Sequence, residues 1–371
     1  MHITKSLALR FGFGGLQLGV IFLCDVILGK EYTAQYLICL GAAGIFYSFS
    51  QGVMPTQFAM LSTKESINSL HMLDLKRTFI NTNILIILVI SIQYFFQIEL
   101  IKTYLPFFYL FVLAISSWWA IAKFELNLNG VDRYIFFQSL YPSLFTFVAI
   151  ILVSVLRIEA SFFIAFIALV LFLPCVYLFL KNNIDSKIIK FQGNLQERVL
   201  RLLIGIIEHI DILLLPILGA VELVYFSYIK RVTGIGGVAS SIITKTYEKR
   251  IASGLNVKVS LKRDQMFVSA IQGVVLIALI ILSFSYLDDN YYILFISAGL
   301  VSLMQINTSG SIVTVTKNKT LMIKAIIILL IAISTCVLYF SYDSNQNIET
   351  FAALYLFLYF IKIITIKNLS K

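Results

Sequence analysis

The sequence predicts an all-α polytopic membrane protein: about 12 transmembrane helices in two six-helix lobes around a central cavity, with both termini cytoplasmic. Composition, the spacing of apolar runs and the side on which positive charge collects carry that prediction. Of 371 residues, 59% are apolar and 13% charged, and the mean hydropathy is +0.92. Soluble domains hold about 45–50% apolar and about 25% charged residues, so an ordinary soluble enzyme is excluded. A span takes about 20 apolar residues, so about twelve leave loops of roughly ten residues and no soluble catalytic domain.

The first span is expected at Leu7 to Gly29, after a short, mildly basic start with no small-residue cleavage site. The second, Thr33 to Met60, is long and less apolar, with Gly52 and Pro55 able to loosen its backbone. Ile80 to Gln97, Pro106 to Phe124, Tyr134 to Leu156 and Ser161 to Leu180 follow, each an apolar run between polar clusters. The second half repeats the pattern at Val199 to Gly219, Val221 to Thr244, Gln265 to Leu287, Tyr291 to Val313, Leu321 to Tyr342 and Phe351 to Ile366.

Charge tests this assignment. With the N-terminus inside, only Lys30, Lys102 and Arg157 of the 29 Lys and Arg residues fall outside. Adding or deleting one span would invert everything downstream and destroy the asymmetry. The net charge of +10 is then matched by anionic lipid at the cytoplasmic surface, and no nucleic acid is needed. The inside segments Leu61 to Phe79, Lys181 to Arg198 and Tyr247 to Asp264 mix both signs of charge and read as connectors or interfacial helices. The middle one separates an N-terminal lobe, residues 1–185, from a C-terminal lobe, residues 199–371, with 186–198 as the connector. An echo accompanies the division: Leu28-Gly29 then Tyr36 in the first half, and Leu218-Gly219 then Tyr225 in the second.

Charged groups inside the bilayer cost several kcal/mol unless they face a partner or water. Glu208, His209 and Asp211 fall in the seventh span, and Lys230 and Arg231 in the eighth. Glu208 and Lys230 stand equally far from Gly219 on either side, about 16 Å deep at about 1.5 Å per residue, so opposite charges share one depth. The bland reading is a bundle-locking ion pair. Arg10, Gly14 and Gln17 line one stripe of the first span, with Asp25 near its outer end. Arg10 can also snorkel to lipid phosphate, and Asp25 can reach outer water. Tyr47, Ser48, Ser50, Gln51 and Gln57 add hydrogen-bonding groups to the second span, and Gly234 and Gly237 stack on the Lys230 face of the eighth. Gln305, Asn307 and Thr308 read as interhelical hydrogen bonds, and Trp118 and Trp119 as lipid-facing or interfacial aromatics. The four cysteines lie in apolar runs and are expected as free thiols; with only His2, His71 and His209, no zinc site and no cofactor are expected.

Three segments carry a resemblance: Leu7-Ala8-Leu9-Arg10 through Leu28-Gly29 with Tyr32 and Tyr36; Glu208-His209-Ile210-Asp211 through Leu218-Gly219 with Tyr225; and Asn129-Gly130-Val131-Asp132-Arg133-Tyr134. The chain is similar to the polysaccharide-biosynthesis branch of the multidrug/oligosaccharidyl-lipid/polysaccharide (MOP) exporter superfamily, most closely the Wzx-type O-antigen flippases. It departs from them in lacking a proline between Ile242 and Tyr247 and in its short loops. The resemblance implies a non-enzymatic flippase in the bacterial inner membrane, moving an undecaprenyl-pyrophosphate-linked oligosaccharide outward by alternating access, with membrane lipids and a polysaccharide polymerase and other assembly proteins as partners. It also implies that Arg10, Lys230 and Arg231 hold the diphosphate, that Glu208, Asp211 and Asp25 couple an ion or gate, and that Gln17, Ser48 and Gln51 line the cavity. A drug or metabolite exporter of the same superfamily is the alternative. A membrane-embedded polymerase or acyltransferase fits less well, because Arg157 is the one external arginine and His2 has no acidic companion.

The predicted topology is open to a direct check. A fluorescent protein fused after Lys371 should fluoresce and alkaline phosphatase fused there should be inactive; the reverse result overturns the even span count.

Overall fold

The computed structural model describes residues 2–53, 67–96, 105–129, 131–158, 162–181, 195–234, 242–243, 247, 257–283, 289–306, 315–316, 318–342 and 346–370. Every regular element among them is helical. Among the described residues four helices are long and apolar enough to cross a membrane: Asp132–Leu156, Val259–Ile281, Lys319–Tyr342 and Ile348–Leu369. Shorter apolar helices run over Gly12–Leu28, Phe107–Lys123, Phe162–Leu178 and Tyr291–Ile306. Large apolar side chains such as Ile84, Ile87, Leu173, Val274, Ile277 and Ile331 stand exposed in rows, as a bilayer requires of a helix surface. The chain is a multi-pass helical membrane protein.

Its contacts divide it into two compact units, Gly12–Arg198, and Val199–Lys371 with Met1–Phe11. In the first unit α1 (His2–Leu28) and α2 (Lys30–Ser50) are joined by Gly29 alone. Gly29 has φ 90°, a conformation that a side chain disfavours. After them come α3 (Ile67–Phe96), α4 (Leu105–Asn129), the short α5 (Val131–Ile135), a π-helical turn (Phe136–Leu140), α6 (Tyr141–Leu156) and α7 (Phe162–Lys181). The centre is α4, which packs on α7, α3 and α2. Ala114, Ser116, Ser117, Ala120 and Ala122 are buried along it, and such small side chains let helices approach closely in lipid.

The expectation that Trp118 faces lipid is overturned. It is 5% exposed and stacks on Phe137. The cause is the π turn: Tyr141 N–H bonds Phe136 O, and the residue five beyond Phe137 is Pro142, which has no N–H to give. Phe137 O therefore lacks a helical donor, and Trp118 Nε1 supplies one at 2.7 Å. Trp119 is half-buried, edge-on to Tyr47, whose hydroxyl donates to Trp119 O.

The second span is also shorter than expected. Rather than running on to Met60, α2 ends at Ser50, where Gln51 turns to φ −44° and ψ 126°; Pro55 and Gln57 lie outside the described residues. Side chains satisfy the backbone released there. Arg198 donates to Phe49 O at 2.9 Å and Gly52 O at 3.2 Å, Asn81 to Ser50 O at 3.0 Å, and Lys123 to Val53 O at 2.5 Å. Thr78 Oγ1 accepts from Gly52 N–H and Asp74 Oδ1 from Val53 N–H, and Asp74 pairs with Lys123 at 3.0 Å with both side chains buried. Cations at a helix C-terminus also complement its dipole. The third helix starts earlier than the predicted Ile80, so Asp74 and Thr78, expected in a connector, lie on α3.

In the second unit α8 (Leu195–Glu208), whose first residues fall in the other unit, is followed by α9 (Ile210–Leu218), α10 (Ala220–Thr233), α11 (Lys258–Ser283), α12 (Asp289–Ile306), α13 (Lys319–Tyr342) and α14 (Ile348–Leu369). The predicted seventh span is thus two helices. Gly219, at φ 151°, joins α9 to α10 as Gly29 joins α1 to α2, and these two are the positive-φ glycines among the described residues. The core helix is α14, packed on α12, α13 and α9. It begins at Asn347, whose Oδ1 accepts Thr350 N–H at 2.7 Å, and it buries Phe351, Tyr355, Leu358 and Tyr359, with Phe226 of α10 edge-on to Phe351 and Tyr355. Cys24, Cys39, Cys175 and Cys336 are buried free thiols.

The turn after α2 predicts a sharp difference between two glycines. A Cβ at Gly52 would fall on Asp74 O and Arg77 Cβ, whereas one at Gly19 meets nothing within 4 Å. Gly52→Ala should lower stability by about 1–3 kcal/mol and Gly19→Ala should not lower it, read as thermal midpoints of the purified protein.

Candidate functional site

The site is built on a helix break. Between α8 and α9, His209 leaves helical geometry at φ −121° and ψ 26°. Its N–H bonds back to Gly205 O and Ile206 O, while Ile212 N–H bonds His209 O at 3.2 Å. In an unbroken α-helix Ile212 N–H would bond Glu208 O. The break therefore releases Glu208 O, and Lys230 Nζ takes it at 2.8 Å. The same ammonium lies 2.7 Å from Asp211 Oδ1. A second pair lies beside the first: Lys362 Nζ of α14 stands 2.6 Å from Glu208 Oε1 and 5.0 Å from the centre of the Tyr359 ring, where the aromatic face attracts it.

Two carboxylates and two ammonium groups thus meet around His209. Their exposures differ. The Asp211 and Lys362 side chains are each 8% exposed, that of Lys230 is 26% and that of Glu208 is 46%. Glu208 is therefore the most exposed member of the cluster, while Asp211 and Lys362 are enclosed with their ion-pair partners. Tyr355 and Tyr359 lie within electrostatic reach of both carboxylates.

Glu208 and Lys230 do meet, but not as an ion pair of side chains. The lysine pairs with Asp211 and with Glu208's backbone, and the Glu208 carboxylate takes Lys362 instead. Sequence reasoning missed Lys362 because it counted it among the C-terminal cytoplasmic charges. The signal was there: Lys362 follows Tyr355 and Tyr359 at helical spacing inside the predicted twelfth span, on one face of α14. Arg231 donates to Ser227 Oγ at 2.8 Å on its own helix.

The other predicted site residues whose side chains are described lie in the first unit. Gln17 and Asp25 are half-buried on α1, Asp25 O accepting Gly29 N–H. Ser48 Oγ donates to Gly44 O within α2, and Gln51 is buried at the end of that helix. Arg10 is on α1, with its side chain outside the described residues, as are Gly237, Asn307 and Thr308.

No protein-family model matches the chain and no curated protein matches it. Among solved structures it is similar to one described as the outward-facing conformation of a multidrug resistance MATE family transporter of the MOP superfamily, with TM-score 0.52, 13% sequence identity, and 99% of this chain and 94% of that one covered. At that identity the likeness is one of fold: the chain has the fold of a MOP superfamily transporter. The likeness goes no further than the fold, and neither the superfamily nor its Wzx branch follows from it.

The exchange of partners is measurable by double-mutant cycles on stability. Glu208→Gln with Lys362→Met, and Asp211→Asn with Lys230→Met, should each couple by about 0.5–3 kcal/mol, while Glu208→Gln with Lys230→Met should couple by less than either. Stronger coupling of Glu208 to Lys230 than to Lys362 would contradict the pairing.

Proposed function

We propose that the protein is a transporter of the MOP type that flips an undecaprenyl-pyrophosphate-linked oligosaccharide, such as an O-antigen repeat unit, from the inner to the outer leaflet of the bacterial inner membrane. The observation that carries the transporter reading is the MOP fold, matched over 99% of the chain. The topology that goes with it has twelve spans and both termini cytoplasmic, supported by the scarcity of Lys and Arg in the outside loops, where Lys30, Lys102 and Arg157 fall.

The lipid-linked substrate is supported by the kind of charge in the membrane region. A diphosphate needs cationic donors, and Lys230 and Arg231 sit side by side near the end of α10, with Lys230 26% exposed. Arg10 on α1 is a third donor in this reading, and Asp25 a gating carboxylate near the outer end of the same helix. In this mechanism Glu208 and Asp211 hold and release their lysines as an ion binds and leaves, which biases alternating access. Gln17, Ser48 and Gln51 contribute polar lining, and the protein carries out no covalent chemistry of its own. It works with membrane lipids and with the polymerase and other assembly proteins that handle the same glycan.

A drug or metabolite exporter is the second reading, favoured by the similar solved structure, which is that of a multidrug resistance transporter. Surface glycan separates the two. In the native host, deletion of the protein should abolish surface glycan, and Lys230→Gln/Arg231→Gln should do the same at unchanged protein level. Glycan that persists in the deletion strain removes the flippase reading and leaves the exporter, and glycan that persists in the double variant alone removes those two residues from the mechanism.

A further inference from the structure

Both carboxylates beside His209, those of Glu208 and Asp211, already hold a cation. In membrane transporters, a carbonyl released at a broken helix, with a carboxylate beside it, is where a coupling Na⁺ or proton binds. Here the protein's own ammonium groups stand there. Lys230 Nζ is 2.8 Å from the released Glu208 O and 2.7 Å from Asp211 Oδ1, and Lys362 Nζ is 2.6 Å from Glu208 Oε1.

We propose that Lys230 and Lys362 are specificity-determining residues that close Asp211 and Glu208 to alkali cations, so that the ion this unit exchanges is a proton. The inference rests on the ion-coupled reading above and deepens it. An alkali ion would have to displace an ammonium group already bonded to the same oxygens, and the displaced charge would stay within a few ångström on a tethered side chain, repelling it. Lys362 has little freedom to withdraw, since it is buried against Tyr359. A proton meets no such obstacle. It adds from water to a carboxylate oxygen, Oε1 of Glu208 or Oδ1 of Asp211, neutralises that carboxylate, and frees the lysine bonded to it; its departure restores the pair. Glu208, at 46% exposure, is the more open of the two carboxylates. The charged and titratable groups facing the two carboxylates are Lys230 from α10, Lys362, Tyr355 and Tyr359 from α14, and His209 at the break. The lysine contacts are the ones that protonation of a carboxylate weakens, because they alone join it to a full positive charge at hydrogen-bond distance.

The test is alkali-ion binding to the purified full-length protein, in sodium chloride against choline chloride at equal ionic strength and mildly alkaline pH. Thermal midpoint and saturable binding of radioactive sodium are the readouts. The wild type should show neither a sodium-specific rise in midpoint nor saturable sodium. Lys230→Met/Lys362→Met should gain both, because it leaves a released carbonyl and two carboxylates without their ammonium groups. Lys362→Arg, which keeps a cation beside Glu208, should bind no sodium. Should the double variant not fold, Lys362→Met alone carries the test, since its bared carboxylate is half-exposed. Saturable sodium binding by the wild type, or none by a folded, monodisperse Lys→Met variant, overturns the proposal. This assay involves no glycan, so a failure of the flippase reading would show in the surface-glycan experiment and leave the sodium result standing.

Discussion

A backbone carbonyl released from its helix inside a membrane must find a donor, because there is no water to supply one. At three irregular points among the described residues a carbonyl outside the helical pattern takes a side-chain donor, a different one each time. At the π turn the indole of Trp118 bonds Phe137 O. At the end of α2, Arg198, Asn81 and Lys123 bond the carbonyls of Phe49, Ser50, Gly52 and Val53. At the α8–α9 break Lys230 bonds Glu208 O. Where the donor is a lysine, a carboxylate accompanies it, Asp74 with Lys123 and Asp211 with Lys230. These buried charges therefore sit at the places where the helices are broken.

This arrangement also separates two kinds of ion pair. Asp74 and Lys123 are 1% and 6% exposed and are tied to the backbone of Val53 on both sides, so neither can leave without stranding an N–H or a carbonyl. They act as a fastener. Glu208 and Lys362 are joined by side chains alone, and the carboxylate is half-exposed. Parting them strands no backbone group. Of the two kinds, the second suits a site that changes state during transport.

The sequence revealed the helices, since they depend on runs of many residues. It revealed the two glycine turns as well. Gly29 and Gly219 share an unusual backbone geometry, which accounts for the echo between the halves. The tyrosines of that echo do not share a setting: Tyr36 is buried against Phe111 and Phe163, and Tyr225 is 41% exposed beside Tyr291. The partners inside the membrane were less legible, because helical spacing says which residues share a face but not which helix comes to meet it. Lys362 reaches Glu208 from 154 positions away, a pairing no local pattern contains. The break at His209 was hidden for a related reason, since histidine is no helix breaker and Lys230 from another helix holds the break, whereas at Gln51 the neighbouring Gly52 and Pro55 marked a weak point but not that the helix stops there.

The one-residue links at Gly29 and Gly219 bear on how the chain enters the bilayer. A single residue spans only about 3.3–3.6 Å, too little slack for one helix to settle across the lipid while its neighbour waits in water. Once one helix of a pair is in place, whether α1 of α1 and α2 or α9 of α9 and α10, the depth at which the next begins is already set.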